Sequence, residues 1–242
     1  MNLFSQVFAS LPRQGPGSEA CTLRGLDSLR PYLPPAAQVL DIGCGSGSQT
    51  VTLAQALPEA RITAVDLSAQ LLSLLQVQAR MQGLDAHIEV MQADMGQLPF
   101  DPGSFELIWS EGALYILGLE AGLSQWRPLL KPGGCLGFTH IAWLTNRPAA
   151  AAKSFWAREY PAISGRRQVR ATIAALDLNL LAEFVLPAQA WWQDYYAPLE
   201  AALQALPQMP EAEALAAACR EEIALYRDHG QDYGYVFYGV QS

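Results

Sequence analysis

No stretch of this chain reaches the roughly 18 consecutive apolar residues that span a bilayer, although 51% of its 242 residues are hydrophobic. Membrane insertion is therefore not expected. Cysteine is scarce: Cys21, Cys44, Cys135 and Cys219 lie far apart and form no C-x-x-C pair. That argues against a structural zinc site and for a reducing compartment. No Cys/His cluster has metal-ligand spacing, so no metal is expected. Basic residues are few, 15 Lys and Arg against 23 Asp and Glu, for a net charge of −8. Such a balance disfavours nonspecific binding to nucleic acid or to an anionic membrane face. The one local basic cluster, Arg166, Arg167 and Arg170, reads as the solvated face of a helix. Residues 1–11 lack the basic n-region of a secretory signal, so the cytoplasm is the expected location. There is no internal repeat and no low-complexity tract.

What is present is an alternation of strand and helix patterns, the signature of a parallel α/β sheet. Strands are predicted at residues 38–41, 61–66, 86–92, 105–110, 134–141, 180–186 and 235–240. Helices are predicted at 47–57, 69–82, 114–130 and about 167–175, with Pro and Gly clusters between them. The expected fold is one α/β domain: a doubly wound, seven-stranded, mostly parallel sheet whose last strand is antiparallel. Three stretches lie outside this alternation: an N-terminal arm over 1–37 and helical lid inserts over 142–165 and 187–232. The second insert carries Trp191, Trp192, Tyr195 and Tyr196. Loops beyond the carboxyl ends of parallel strands are where such sheets bind ligands.

The most informative segment is 38–47, where Val39-Leu40-Asp41-Ile42 leads into Gly43-Cys44-Gly45-Ser46-Gly47 and then a helix. A strand that turns on glycines into a helix brings bare N–H groups and a positive helix end against a ligand. The glycines admit the tight turn and a close approach. An acid directly before them would repel a pyrophosphate but suits a ligand bearing an amino group. A dinucleotide site would prefer G-x-G-x-x-G, which the spacing 43, 45, 47 does not supply.

Residues 39–47, with Ile62-Thr63-Ala64-Val65-Asp66-Leu67-Ser68 and Gln92-Ala93-Asp94-Met95, resemble the motifs of the class I S-adenosylmethionine-dependent methyltransferases. That resemblance implies S-adenosylmethionine as cofactor, with Gly43, Cys44, Gly45 and Gly47 against its methionine part and Asp41 near its amino group. It implies that Asp66 takes both ribose hydroxyls, Asp94 the adenine amino group and Met95, through its amide, the adenine ring. Leu67 and Ser110 are placed in the same site. An ionised carboxylate is acceptor-only and can receive two hydroxyl donors at once. Residues 105–113 and 126–134, the latter ending in Leu130-Lys131-Pro132-Gly133-Gly134, resemble the branch that includes the ubiquinone and menaquinone C-methyltransferases. The segment 13–18 resembles a cofactor-covering stretch in uncharacterised members of that branch, which implies Arg13, Gly17 and Ser18 at the cofactor. The arm and inserts depart from the quinone enzymes.

After the fourth strand, Ser110-Glu111-Gly112-Ala113-Leu114-Tyr115 does not spell the Asn/Asp-Pro-Pro-Tyr/Phe tetrapeptide of enzymes that methylate nucleic-acid bases or glutamine. With the acidic charge, this directs the expectation to a small-molecule acceptor, methylated by in-line displacement. Glu111 and His140, both at strand ends, are the candidate catalytic groups, and Tyr115, Trp143 and Trp192 the candidate substrate contacts. Two other readings stand beside this one: a nicotinamide-dependent oxidoreductase, and a noncatalytic protein that binds S-adenosylmethionine.

Overall fold

The computed structural model describes residues 3–242, so the first two residues of the expected arm lie outside the described residues. The arm forms α1 (Leu3–Ala9) and α2 (Glu19–Leu29), and the alternation then begins with β1 (Gln38–Ile42), α3 (Ser48–Ala56) and β2 (Arg61–Asp66). It continues through α4 (Ala69–Met81), β3 (Ile88–Gln92), β4 (Phe105–Ser110), α5 (Leu119–Trp126) and β5 (Leu130–Trp143). The first insert supplies α6 (Ala150–Glu159) and a two-residue strand, β6 (Ser164–Gly165), before α7 (Arg166–Ala175) and β7 (Asn179–Val185). The second insert forms α8 (Gln189–Trp191), a π turn over Trp192–Tyr196, α9 (Ala197–Gln204) and α10 (Pro210–His229), ahead of β8 (Tyr233–Gln241).

The sheet runs β3-β2-β1-β4-β5-β8-β7, with β6 added beside the end of β5. The pairs from β3 to β5 are parallel, and β8 lies antiparallel to both β5 and β7. The expected seven strands and antiparallel last strand are present, and β6 is the addition. Strand order reverses between β1 and β4, so the chain leaves these two strands in opposite directions and opens a crevice above their carboxyl ends.

Val39, Leu40 and Ile42 of β1 are fully buried, as a central parallel strand covered on both faces requires. Val39 joins the core layer beneath α2 and α3, whereas Leu40 and Ile42 join the layer beneath α5 and α7. Trp109 of β4 packs on Phe237 of β8, ring centres 5.3 Å apart. Gly25 and Gly137 leave the room for that pair: a Cβ would come within 2.7 Å of Phe237 at the first and 2.5 Å of Trp109 at the second.

Two expectations on element length are corrected. The predicted helix over 114–130 is a 3-10 turn (Leu114–Ile116), α5 and a second 3-10 turn (Arg127–Leu129). Gly118, at φ +85°, breaks the first join, and Pro128 lies in the second turn. β5 is longer than predicted at both ends: Leu130 pairs with Phe105 of β4, and residues 135–143 pair continuously with 233–241 of β8.

The arm is fastened to the sheet by a buried ion pair. Arg13 Nη1 donates to Glu111 Oε2 at 2.8 Å, with the two side chains only 7% and 5% exposed. Glu111 Oε1 accepts from Thr22 Oγ1 of α2 (2.6 Å) and from Trp109 Nε1 (2.9 Å). Gly17 N–H donates to the Ala190 carbonyl, and Ser18 caps α2. α1 packs against α9 and α10, so arm and second insert meet over the crevice. Removing one partner of such a pair leaves a bare buried charge, at a cost of about 3–5 kcal/mol. Glu111→Ala is therefore expected to lose about that much stability in chemical denaturation, and Arg13→Met/Glu111→Leu to recover most of it. Wild-type stability in Glu111→Ala would refute the anchoring role.

Candidate functional site

A cavity of about 640 Å³ occupies the crevice. Its floor is the turn after β1, where Gly43, Gly45 and Gly47 have φ of +70°, +57° and +89°. The turn is clamped by backbone bonds, with Gly43 and Cys44 N–H both donating to the Val65 carbonyl. A Cβ on Gly43 would lie 2.4 Å from that of Ala113, and one on Gly45 would lie 2.4 Å from Gln14 Oε1. The arm's Gln14 accepts from both Ser46 N–H (2.9 Å) and Ser46 Oγ (3.1 Å), which places residues 13–16 as one wall.

The next strand ends supply the acids. Asp66 accepts from Gly45 N–H at 2.9 Å and Ser68 N–H at 2.8 Å, which holds its carboxylate at the rim of the turn with acceptor capacity to spare. Asp94 accepts from Gly96 N–H at 2.8 Å, and the Met95 carbonyl is held by Trp126 Nε1 at 3.0 Å. Leu67 and Tyr115 also line the cavity, and Glu159, Tyr195 and Glu222 close it from the two inserts.

The structure thus brings Arg13, Gly43, Cys44, Gly45, Asp66, Leu67, Asp94, Met95, Glu111 and Tyr115 to one cavity. It does not bring the other predicted residues there. Asp41 is wholly buried behind the turn, accepting from Thr50 Oγ1 at 2.6 Å and Gln49 Nε2 at 3.4 Å. Burial pushes its carboxyl up to about 7, against the opposing hydrogen bond from Thr50. Gly47 faces Leu75 of α4, and Ser110 is buried with its hydroxyl on the Ile42 carbonyl, tying β4 to β1. Gly17 and Ser18 start α2 beneath Arg13.

Several roles are corrected. His140 is buried in β5 against the edge of Tyr160, and burial lowers its pKa to about 4, so it is neutral and off the cavity. Trp143 packs on Tyr233, and Trp192 sits under Arg227 beside Tyr196, both away from the cavity lining. Glu111 borders the cavity, but both its oxygens are engaged by Arg13, Thr22 and Trp109, so it is an anchor rather than an acceptor-facing base. The same pair engages Nη1 of Arg13, a residue expected at the cofactor. Burial holds the Cys44 thiol well above its usual pKa, which keeps it protonated.

Sequence reading missed Gln14, Glu159 and Glu222. Nothing local marks Glu222, which lies on α10 among charged residues; only the folding of that helix over the crevice gives it a place. Its Oε1 accepts from Tyr196 Oη at 2.8 Å, and burial raises its pKa, with Glu159 adding to the effect. Burial, then the charge of Glu222, also raises the hydroxyl pKa of Tyr115, Tyr195, Tyr196 and Tyr233.

Residues 39–134 match the family described as "Methyltransferase domain". Over 122 residues the chain is 35% identical to a malonyl-[acyl-carrier protein] O-methyltransferase of Enterobacter lignolyticus, covering 49% of this chain and 45% of that protein. Over 116 residues it is 39% identical to a trans-aconitate 2-methyltransferase of Deinococcus radiodurans, covering 47% and 40%. The chain thus spans less than half the length of these relatives. Its fold is that of a methyltransferase from Geobacter sulfurreducens crystallised with S-adenosyl-L-homocysteine, at a TM-score of 0.84 and 19% identity over 98% of this chain and 96% of that one. The matched residues 39–134 are those that build the glycine turn and carry the strand-end acids Asp41, Asp66 and Asp94.

Proposed function

We propose that the cavity binds S-adenosylmethionine and that the chain transfers its methyl group to a small organic acceptor. One observation carries the reading: the glycine turn, Asp66 and Asp94 follow the adjacent strands β1, β2 and β3 and line one cavity, in the order of a methionine, a ribose and an adenine. The residues fit that ligand. The turn has no Cβ at Gly43 and Gly45, Asp66 keeps lone pairs for a diol, and Asp94 is an acceptor for an exocyclic amine. The nicotinamide reading gains no support from these relatives or from the glycine spacing.

When bound, the cofactor supplies an electrophilic methyl group on a sulfonium sulfur. The chain's own contribution is to hold the two reactants in line and to exclude water, the main source of rate in such a displacement. The floor is rigid because the turn is bonded to Val65, Asp66 and Gln14. α1 and the second insert roof the site. The acidic balance of the chain supports a small-molecule partner over nucleic acid. All four cysteines are free and buried, which supports the cytoplasmic assignment.

S-adenosylhomocysteine is expected to raise the melting temperature, by mass action on the folded state. Asp66→Ala is expected to weaken its binding at least tenfold, the loss of two charge-assisted hydrogen bonds. A thermal shift with NAD and none with S-adenosylhomocysteine would overturn the assignment. A second expectation concerns Asp41. A cationic amino group arriving above the turn favours the ionised form of a carboxyl that sits near 7 in the free protein. Binding then releases a proton, and affinity rises with pH from about 6 to 8. Calorimetry in buffers of different ionisation enthalpy reads that proton directly, and Asp41→Asn is expected to abolish it.

A further inference from the structure

We propose that the methyl acceptor carries an ammonium group apart from the nucleophilic atom that takes the methyl as the cofactor's carbon–sulfur bond breaks, and that Glu222 receives that ammonium. This deepens the reading of the cavity as a methyl-transfer site and rests on it. Arg13 is the one cationic side chain among the described residues that line the cavity, and Glu111 holds it at 2.8 Å. Against it stand Asp66 and Asp94 at the cofactor end and Glu159 and Glu222 at the roof. A polycarboxylate or diphosphate entering this space would meet an excess of like charge and no unpaired cation among the described lining residues. Like-charge juxtaposition of that kind costs several kcal/mol, and recognition of such anions is the work of free arginine and lysine.

The roof end has what a cation needs. Glu222 has one hydrogen-bond donor among the described residues, Tyr196 Oη at 2.8 Å, and a carboxylate accepts about four. Tyr115 and Tyr195 line the same space, and aromatic rings are suited to a cation. Glu159 adds negative potential at the rim, where Arg158 shares it at 2.7 Å. An arriving ammonium would supply Glu222 with charge-assisted hydrogen bonds. Burial and Glu159 hold the Glu222 carboxyl above its usual range in the free protein, a penalty that an opposite charge relieves. The trans-aconitate and malonyl relatives named above act, by their names, on acidic acceptors. Apart from Tyr115, this roof comes from the two inserts, outside the matched residues 39–134, so its chemistry is free to differ.

The test is isothermal titration calorimetry on the full chain saturated with S-adenosylhomocysteine. Titrants are a panel of aryl-alkyl amines (tyramine, phenethylamine and tryptamine) and, as the anionic comparison, trans-aconitate. At least one amine is expected to bind at least tenfold tighter than trans-aconitate. Glu222→Gln is expected to weaken that amine at least tenfold while leaving S-adenosylhomocysteine affinity within twofold, which also reports that the variant is folded. Tyr196→Phe, which keeps the carboxylate, is expected to retain amine binding within about threefold. Equal or tighter binding of trans-aconitate, no binding by any amine, or an unchanged amine affinity in Glu222→Gln would overturn the proposal. Failure of S-adenosylhomocysteine itself to bind the wild-type chain would instead sink the assignment of the cavity.

Discussion

The buried pair between Arg13 and Glu111 is the interaction on which the site depends. The parallel sheet alone leaves the crevice at the ends of β1 and β4 open on one side. Glu111 accepts hydrogen bonds on both its oxygens from three directions: the arm, α2 and β4 through Trp109. A carboxylate satisfied in this way tolerates burial, whereas a lone one would not. Once Arg13 is fixed, Gln14 is brought to Ser46 and its own side-chain amide donates back to the carbonyls of Phe8 and Leu11. The arm is thereby stitched to the glycine turn, and an open crevice becomes a walled cavity.

Electrostatics then divides that cavity. At the sheet, acids follow the strand ends in the order Asp41, Asp66, Asp94, with Asp41 a layer behind the others. This suits a ligand that is cationic at its sulfur and its amino group and offers hydroxyls further along. At the roof, tyrosines and Glu222 form a second region with a different character. The first region belongs to the matched domain and the second, apart from Tyr115, to the inserts, a separation in which function is grafted onto a shared scaffold.

Much of the scaffold was legible from residues alone, because its signals are local. The apolar run of β1 and the positive-φ glycines each dictate backbone conformation within a few residues. The strand-end acids follow the same rhythm. Where reading failed, a distant contact had overridden a local pattern. The helical periodicity of 114–130 is interrupted by Gly118, whose φ of +85° no pattern of apolar residues announces. β5 extends to Trp143 because β8 pairs along it. His140 sits at a strand position that sequence would aim at the crevice, but the longer strand and Tyr160 bury it. Trp192 belongs to an aromatic cluster rather than to the cavity, while its neighbour Tyr195, three residues on, turns in.

By itself, then, the sequence determined the succession of strands along the chain, the glycine turn, the acid before it and the two after it, since steric limits on φ and the two-sided burial of parallel strands are properties of short segments. Tertiary structure decided which charged groups remain open to a ligand. Glu111 and Arg13 are 98 residues apart in the chain, and they neutralise each other only because the arm folds back over β4. Glu222 faces the cavity only because α10 crosses above it. Burial and pairing set the chemistry of an ionisable group, and both are made by residues remote in sequence.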